Sequence, residues 1–310
     1  MFSDDPLIRD ASPTAIAFVV GAYLLLLTAG IVVALILAFK LSHRDAPWAD
    51  RSRELIGRSL SWLDGGRIAV AVLSLVVLSI LLVLALRGRS EGTLLVLQSL
   101  TLDLAGLACV GLVLRRSGLS WRAVFGMRWR GPSRSPNPNA DEALTVTASE
   151  VPPPFGSAIG RGALAYAALI PFIVFASLVS EGILTAQGYP PSIQDIAREL
   201  TAAHPPWLQA YLLILAVGLA PLFEETVFRG VLLPLFARRF GLGVSVLLTS
   251  AIFAGIHANL YATAPLFVVA VGCSLAYVYT GSLWVPVTMH ALFNGINLLF
   301  LLVLKGTWNQ

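Results

Sequence analysis

Charge is what this 310-residue chain has least of: Asp, Glu, Lys and Arg make up 12% of it, against 57% hydrophobic residues and a mean hydropathy of +0.80. So little polar surface excludes a soluble globular enzyme, a disordered chain and a coiled coil. Cysteine is nearly absent too. Cys109 and Cys273 both fall inside apolar runs, which excludes a disulfide framework or a thiolate zinc cluster and leaves two small buried hydrophobes. Lysine occurs only at Lys40 and Lys305, a bias expected of a GC-rich, bacterial coding sequence. The formal charge of +4 comes from basic residues that flank apolar runs and form no stripe with interleaved aromatics, so nucleic acid is not an expected partner.

What remains is a set of long apolar runs. They cover 14–39, 68–86, 94–114, 162–179, 207–223 and onward, 243–258, 264–280 and 283–304, and they predict an all-α polytopic integral membrane protein of about eight transmembrane helices. The first run is too long for a signal-peptide core and reads as an uncleaved anchor. With the amino terminus outside, fifteen Lys and Arg fall in cytoplasmic segments and five outside, so the positive-inside rule expects both termini to be external, most simply in a bacterial cytoplasmic (inner) membrane. Membrane lipids are then obligatory partners.

Residues 115–161 contain RGPSRSPNPN and VPPPFG, a proline- and serine-rich stretch expected to form a disordered cytoplasmic linker. It divides an amino-terminal three-helix region, 1–114, from a carboxy-terminal region, 162–310, where the chemistry is expected.

Ionisable side chains at mid-membrane are costly and therefore few. They are Asp103, then Glu224, Glu225 and Arg229 in PLFEETVFRG, His257 in IFAGIHAN, and His290 with Asn294 in TMHALFNG. Glu225 and Arg229 stand four apart with the acid on the amino-terminal side, the spacing of a helical ion pair. Glu224 is turned about 100° from its neighbour and is left free for chemistry. His290 and Asn294, again four apart, can address one spot. Phe253 lies one turn before His257 and is expected to pack against its imidazole. Asp103 is read as structural, pairing with Arg229, a histidine or backbone groups. His43 and His204 read as solvated loop residues, and Ser274 as a small packing residue.

EETVFR, FAGIH and HALFN resemble, in order and spacing, the EExxxR, FxxxH and HxxxN signatures of the CAAX-processing and bacteriocin-processing (CPBP) intramembrane protease family, which includes the Rce1-like prenyl proteases. The resemblance covers about a quarter of the chain, from Pro221 to about Leu298. It implies an intramembrane endopeptidase, open to the cytoplasmic side, that cleaves a hydrophobic or lipid-anchored (CAAX-like) peptide or protein. It also implies that Glu224 and His257 activate water, that His290 and Asn294 stabilise the oxyanion, and that Glu225, Arg229 and Phe253 support them. No cofactor is expected.

Two other readings stay open. Glu224, His257 and His290 supply the donor types of a zinc-dependent peptidase, although HExxH is absent. Buried Glu, His, Asp and Arg also mark proton-coupled transporters, and a fold of this kind can serve as a non-catalytic membrane scaffold or immunity protein.

Overall fold

A computed structural model describes residues 12–42, 53, 55–57, 60–86, 88–89, 91–127, 152–189 and 206–305. The elements named there are all helical, as a bilayer demands of a chain that must satisfy its own backbone groups. We name them α1 (Pro13–Ser42), α2 (Trp62–Ala85), α3 (Gly92–Arg116), α4 (Trp121–Phe125), α5 (Phe155–Ala186), α6 (Pro206–Phe240), α7 (Leu242–Ile256), α8 (Leu260–Thr280) and α9 (Trp284–Lys305).

Seven of these are long and apolar enough to cross a membrane. The eighth apolar run of the sequence is α7, whose fifteen residues span only about 22 Å at ~1.5 Å per residue, short of a hydrocarbon core about 30 Å thick. The region expected to be a linker is helical at both ends, because α3 continues to Arg116, α4 follows, and α5 begins at Phe155. Its middle, 128–151, lies outside the described residues, as do His43 and His204.

α6 runs without a break through Pro221 and Pro234. A proline ring collides with the carbonyl four residues back in a regular helix. Here each follows a segment of widened, i→i+5 turns, Leu215–Leu219 before Pro221 and Thr226–Leu232 before Pro234, where the backbone has room for the ring. The two glutamates of EExxxR lie between these adjustments, and Arg229 lies within the second.

α5 is the central strut and packs on α1, α8 and α9. Close approach is bought with glycine, as is usual between membrane helices. A Cβ on Gly162 would stand 2.8 Å from the Val285 carbonyl oxygen, and one on Gly272 would stand 2.5 Å from Leu169 Cδ2. The outward faces of α1 and α2, with Leu24, Leu25, Leu35, Val70 and Leu73 exposed, are the apolar surface that lipid solvates.

The amino-terminal helices share one core with the carboxy-terminal ones. Leu60, Ile68, Val110, Leu114 and Phe125 are buried with Val231, Leu233, Tyr277 and Leu283. Leu283 donates its backbone N–H to the Phe125 carbonyl at 3.0 Å. The next residue, Gly126, ends α4 in the left-handed conformation (φ 63°), where a Cβ would come within 1.8 Å of the Gly281 oxygen, so only glycine fits this junction.

Candidate active site

The site is built around Arg229, whose side chain is almost wholly buried. Its Nη1 donates to Glu225 Oε1 at 2.8 Å, and its Nη2 donates to the Ala270 carbonyl of α8 at 3.0 Å. Its guanidinium carbon stands 4.8 Å from the centre of the Phe253 ring, within cation–π range. A charge this deep is tolerable only with such partners.

Glu225 Oε1 accepts a second hydrogen bond, from His290 Nδ1 of α9, at 2.9 Å. The opposite ring nitrogen, His290 Nε2, faces Glu224 Oε2 at 3.8 Å. One imidazole thus stands between two consecutive carboxylates. Glu225 is fully buried and takes both bonds on Oε1, its Oε2 having no hydrogen-bond partner, whereas the Glu224 side chain is 25% exposed and its Oε2 likewise has none. A buried acceptor without a protein partner marks a place for water or substrate.

Phe253 is the platform of the site. Its ring meets His290 edge-on at 5.5 Å, Phe228 edge-on at 5.2 Å and His257 at 4.8 Å between centroids. His257 closes α7, and its Nδ1 lies 2.7 Å from the Phe253 carbonyl oxygen. A carbonyl only accepts, so Nδ1 carries the hydrogen, and the neutral ring leaves Nε2 as an acceptor. Ala258, the next residue, takes a positive φ of 49°, unusual outside glycine, and this turns the chain into α8. Asn259 caps that helix by accepting from the Ala262 N–H at 3.1 Å.

Asn294 stands one turn beyond His290 and donates from Nδ2 to the Ala216 carbonyl at 2.8 Å. That carbonyl lies in the first widened segment of α6, where the changed hydrogen-bond register frees backbone oxygens for side chains. The amide has a second N–H.

The expected Glu225–Arg229 pair, the free Glu224 and the packing of Phe253 on His257 are all present. Sequence spacing did not foresee that His290 would engage both glutamates, nor that Phe253 would also support Arg229. Those contacts cross between helices, and no spacing within one segment encodes them. Asp103 does not meet Arg229. It is 8% exposed and lies in a widened turn of α3 that packs against the Ala220–Glu225 part of α6, the stretch that carries both glutamates. Ser274 is buried and donates to the Ala270 carbonyl of its own helix at 2.8 Å, in keeping with a packing role.

A zinc site needs three donors converging on one point. Among the described residues no group of three His, Cys, Asp or Glu side chains stands close enough to hold an ion. His257 keeps Nε2 open, since only its Nδ1 is engaged by its own helix.

A glutamate pair, two histidines and an asparagine thus lie on α6, α7 and α9 of an all-helical polytopic membrane protein. Residues 206–296 match the family model described as type II CAAX prenyl endopeptidase Rce1-like, which spans α6 to α9 and contains the residues of this site. Residues 206–296 of this integral membrane protein are therefore similar to a domain of a protease family. It is also similar to an uncharacterized 24.3 kDa protein of Escherichia coli, 39% identical over 87 residues, which are 26% of this chain and 40% of that protein. No solved structure matches.

Proposed function

We propose that this protein is a glutamic-type intramembrane endopeptidase that hydrolyses a peptide bond in a membrane-anchored or hydrophobic, CAAX-like substrate. The observation that carries the reading is the asymmetry of the glutamate pair: Glu225 is buried with its Oε1 claimed by Arg229 and His290, whereas the Glu224 side chain is a quarter exposed and its Oε2 accepts no hydrogen bond. Glu224 then acts as general base and His257 Nε2 orients the attacking water. The water oxygen bonds to the scissile carbonyl carbon while its proton passes to Glu224. The oxyanion is stabilised by His290 Nε2–H and the second amide hydrogen of Asn294. Collapse of the tetrahedral intermediate breaks the C–N bond, and the amine leaves with the proton held by Glu224. Glu225 holds the imidazole and stabilises its charge, as a buried carboxylate does beside a catalytic histidine.

No metal enters this scheme. The excess of Lys and Arg in the segments between α1 and α2 and between α3 and α5 favours a site reached from the cytoplasm, in a bacterial inner membrane. The test is proteomic. Membranes carrying wild type, Glu224→Ala or His290→Ala are compared for peptides whose cleavage disappears in both variants, and an unchanged peptide pattern would sink the proposal.

A further inference from the structure

Asp103 is a costly residue with no structural return. It sits near the middle of the span Gly92–Arg116 and is buried, and the guanidinium that might neutralise it gives Nη1 to Glu225 and Nη2 to Ala270. An isolated ionised carboxylate at this depth is costly and therefore rare.

The face of α3 that carries Asp103 is turned toward α6. Ser99, one turn earlier, shares a hydrogen bond with the Tyr211 hydroxyl of α6. Gly106, nearly one turn later, packs so closely that a Cβ there would stand 2.3 Å from Phe223 Cε2. Residues 99, 103 and 106 follow the i, i+4, i+7 spacing of one helix face, and Phe223 immediately precedes Glu224. Besides α6, α2 packs on this turn. Its ionisable side chains, Asp64 and Arg67, pair with each other at 3.0 Å in its first turns. The charged groups that face Asp103 are therefore those of α6: Glu224, and behind it Glu225 with its own counter-ion.

Three carboxylates, Asp103, Glu224 and Glu225, stand against one guanidinium and one imidazole, so in a poorly hydrated site they do not all carry charge. Paired aspartates in such a site share a proton. We propose that Asp103, supplied from outside the matched domain, is a positioning residue of the hydrolytic site: its protonated carboxyl donates to Glu224 and holds that carboxylate toward the attacking water. Asp103 keeps its proton through the reaction, while the proton taken from water travels on Glu224 to the leaving amine. The inference rests on the reading of Glu224 as the base. It makes α3 part of the enzyme.

The test uses the full chain in nanodiscs, with Asp103→Asn, Asp103→Leu and Glu224→Gln. Asp103→Leu is expected to lower kcat by roughly 10- to 100-fold, the scale of a misaligned reacting group, with KM little changed. Asp103→Asn, which retains a hydrogen-bond donor, is expected to keep several-fold more activity than the leucine variant. Infrared spectra at neutral pH should show a protonated-carboxyl C=O band that Asp103→Asn abolishes, a readout independent of turnover. Wild-type rates in Asp103→Leu, equal losses in the asparagine and leucine variants, or a carboxyl band that survives Asp103→Asn would each overturn the proposal. Full activity in Glu224→Gln would instead sink the hydrolase reading itself, and the infrared band would still decide whether the proton is shared.

Discussion

His290 donates to Glu225 Oε1 across 2.9 Å and presents its other nitrogen to Glu224 at 3.8 Å. The contact divides two consecutive carboxylates into one that is structural and one that is free, and it ties α9 to α6 at the level of the EExxxR motif. Removing either partner acts on both helices at once.

The Arg229–Glu225 pair is buried on both sides, with side-chain exposures of 2% and 1%. Arg229→Met leaves Glu225 charged, buried and short of a donor, and is expected to destabilise the protein by about 3–5 kcal/mol. Glu225→Gln strands the guanidinium in the same way. The double variant Arg229→Met, Glu225→Gln should recover much of the loss, because no lone charge remains. Thermal unfolding in detergent, read as a double-mutant cycle, measures the coupling.

Asn294→Leu removes the donor that meets the Ala216 carbonyl at 2.8 Å. An acceptor left unpaired in the membrane interior costs about 1–3 kcal/mol. Since the same amide is assigned to the oxyanion, activity should fall further than the loss of stability explains. Initial rates on protein shown to be folded by size-exclusion chromatography separate the two effects.

Phe253→Ala takes away the ring on which Arg229, His257 and His290 all rest. A buried aromatic truncated to alanine typically costs about 3–5 kcal/mol, and both imidazoles lose their support. Phe253→Leu fills part of the volume without the aromatic face, so it should recover stability more than rate. The comparison is a melting temperature against kcat.

Gly106→Leu would drive a side chain into Phe223, which stands 2.3 Å from the position of a Cβ. Overpacking of this kind costs about 1–3 kcal/mol, and here it parts α3 from α6 at the residue beside Glu224. Gly106→Leu combined with Phe223→Ala should regain stability, which a melting curve of the pair would register.

The number and place of the membrane helices were legible because lipid selects for apolar length, a property of each segment alone. The run from 243 to 258 gave α7 in the same way, and the helix stops at Ile256, where His257 and the positive φ of Ala258 turn the chain. The pair Glu225–Arg229 was legible because both residues lie on one helix at a fixed spacing. The bridging of His290 between two glutamates and the approach of Asp103 depend on how α3, α6 and α9 cross, which glycines such as Gly106 decide through packing. The widened turns that let α6 carry Pro221 and Pro234 leave no periodic signal, although the prolines themselves, inside an otherwise unbroken apolar run, mark where the helix must yield.

The most direct test of the central claim is the rate at which the purified protein cleaves a lipidated CAAX-type peptide in nanodiscs after exhaustive chelation, compared between wild type and Glu224→Gln. The chelated wild type should cleave undiminished, and the variant should lose about 10²- to 10⁴-fold in kcat, the share a general base contributes. Cleavage by Glu224→Gln at the wild-type rate, or loss of wild-type cleavage on chelation with recovery on adding zinc, would contradict a metal-free hydrolysis run by Glu224.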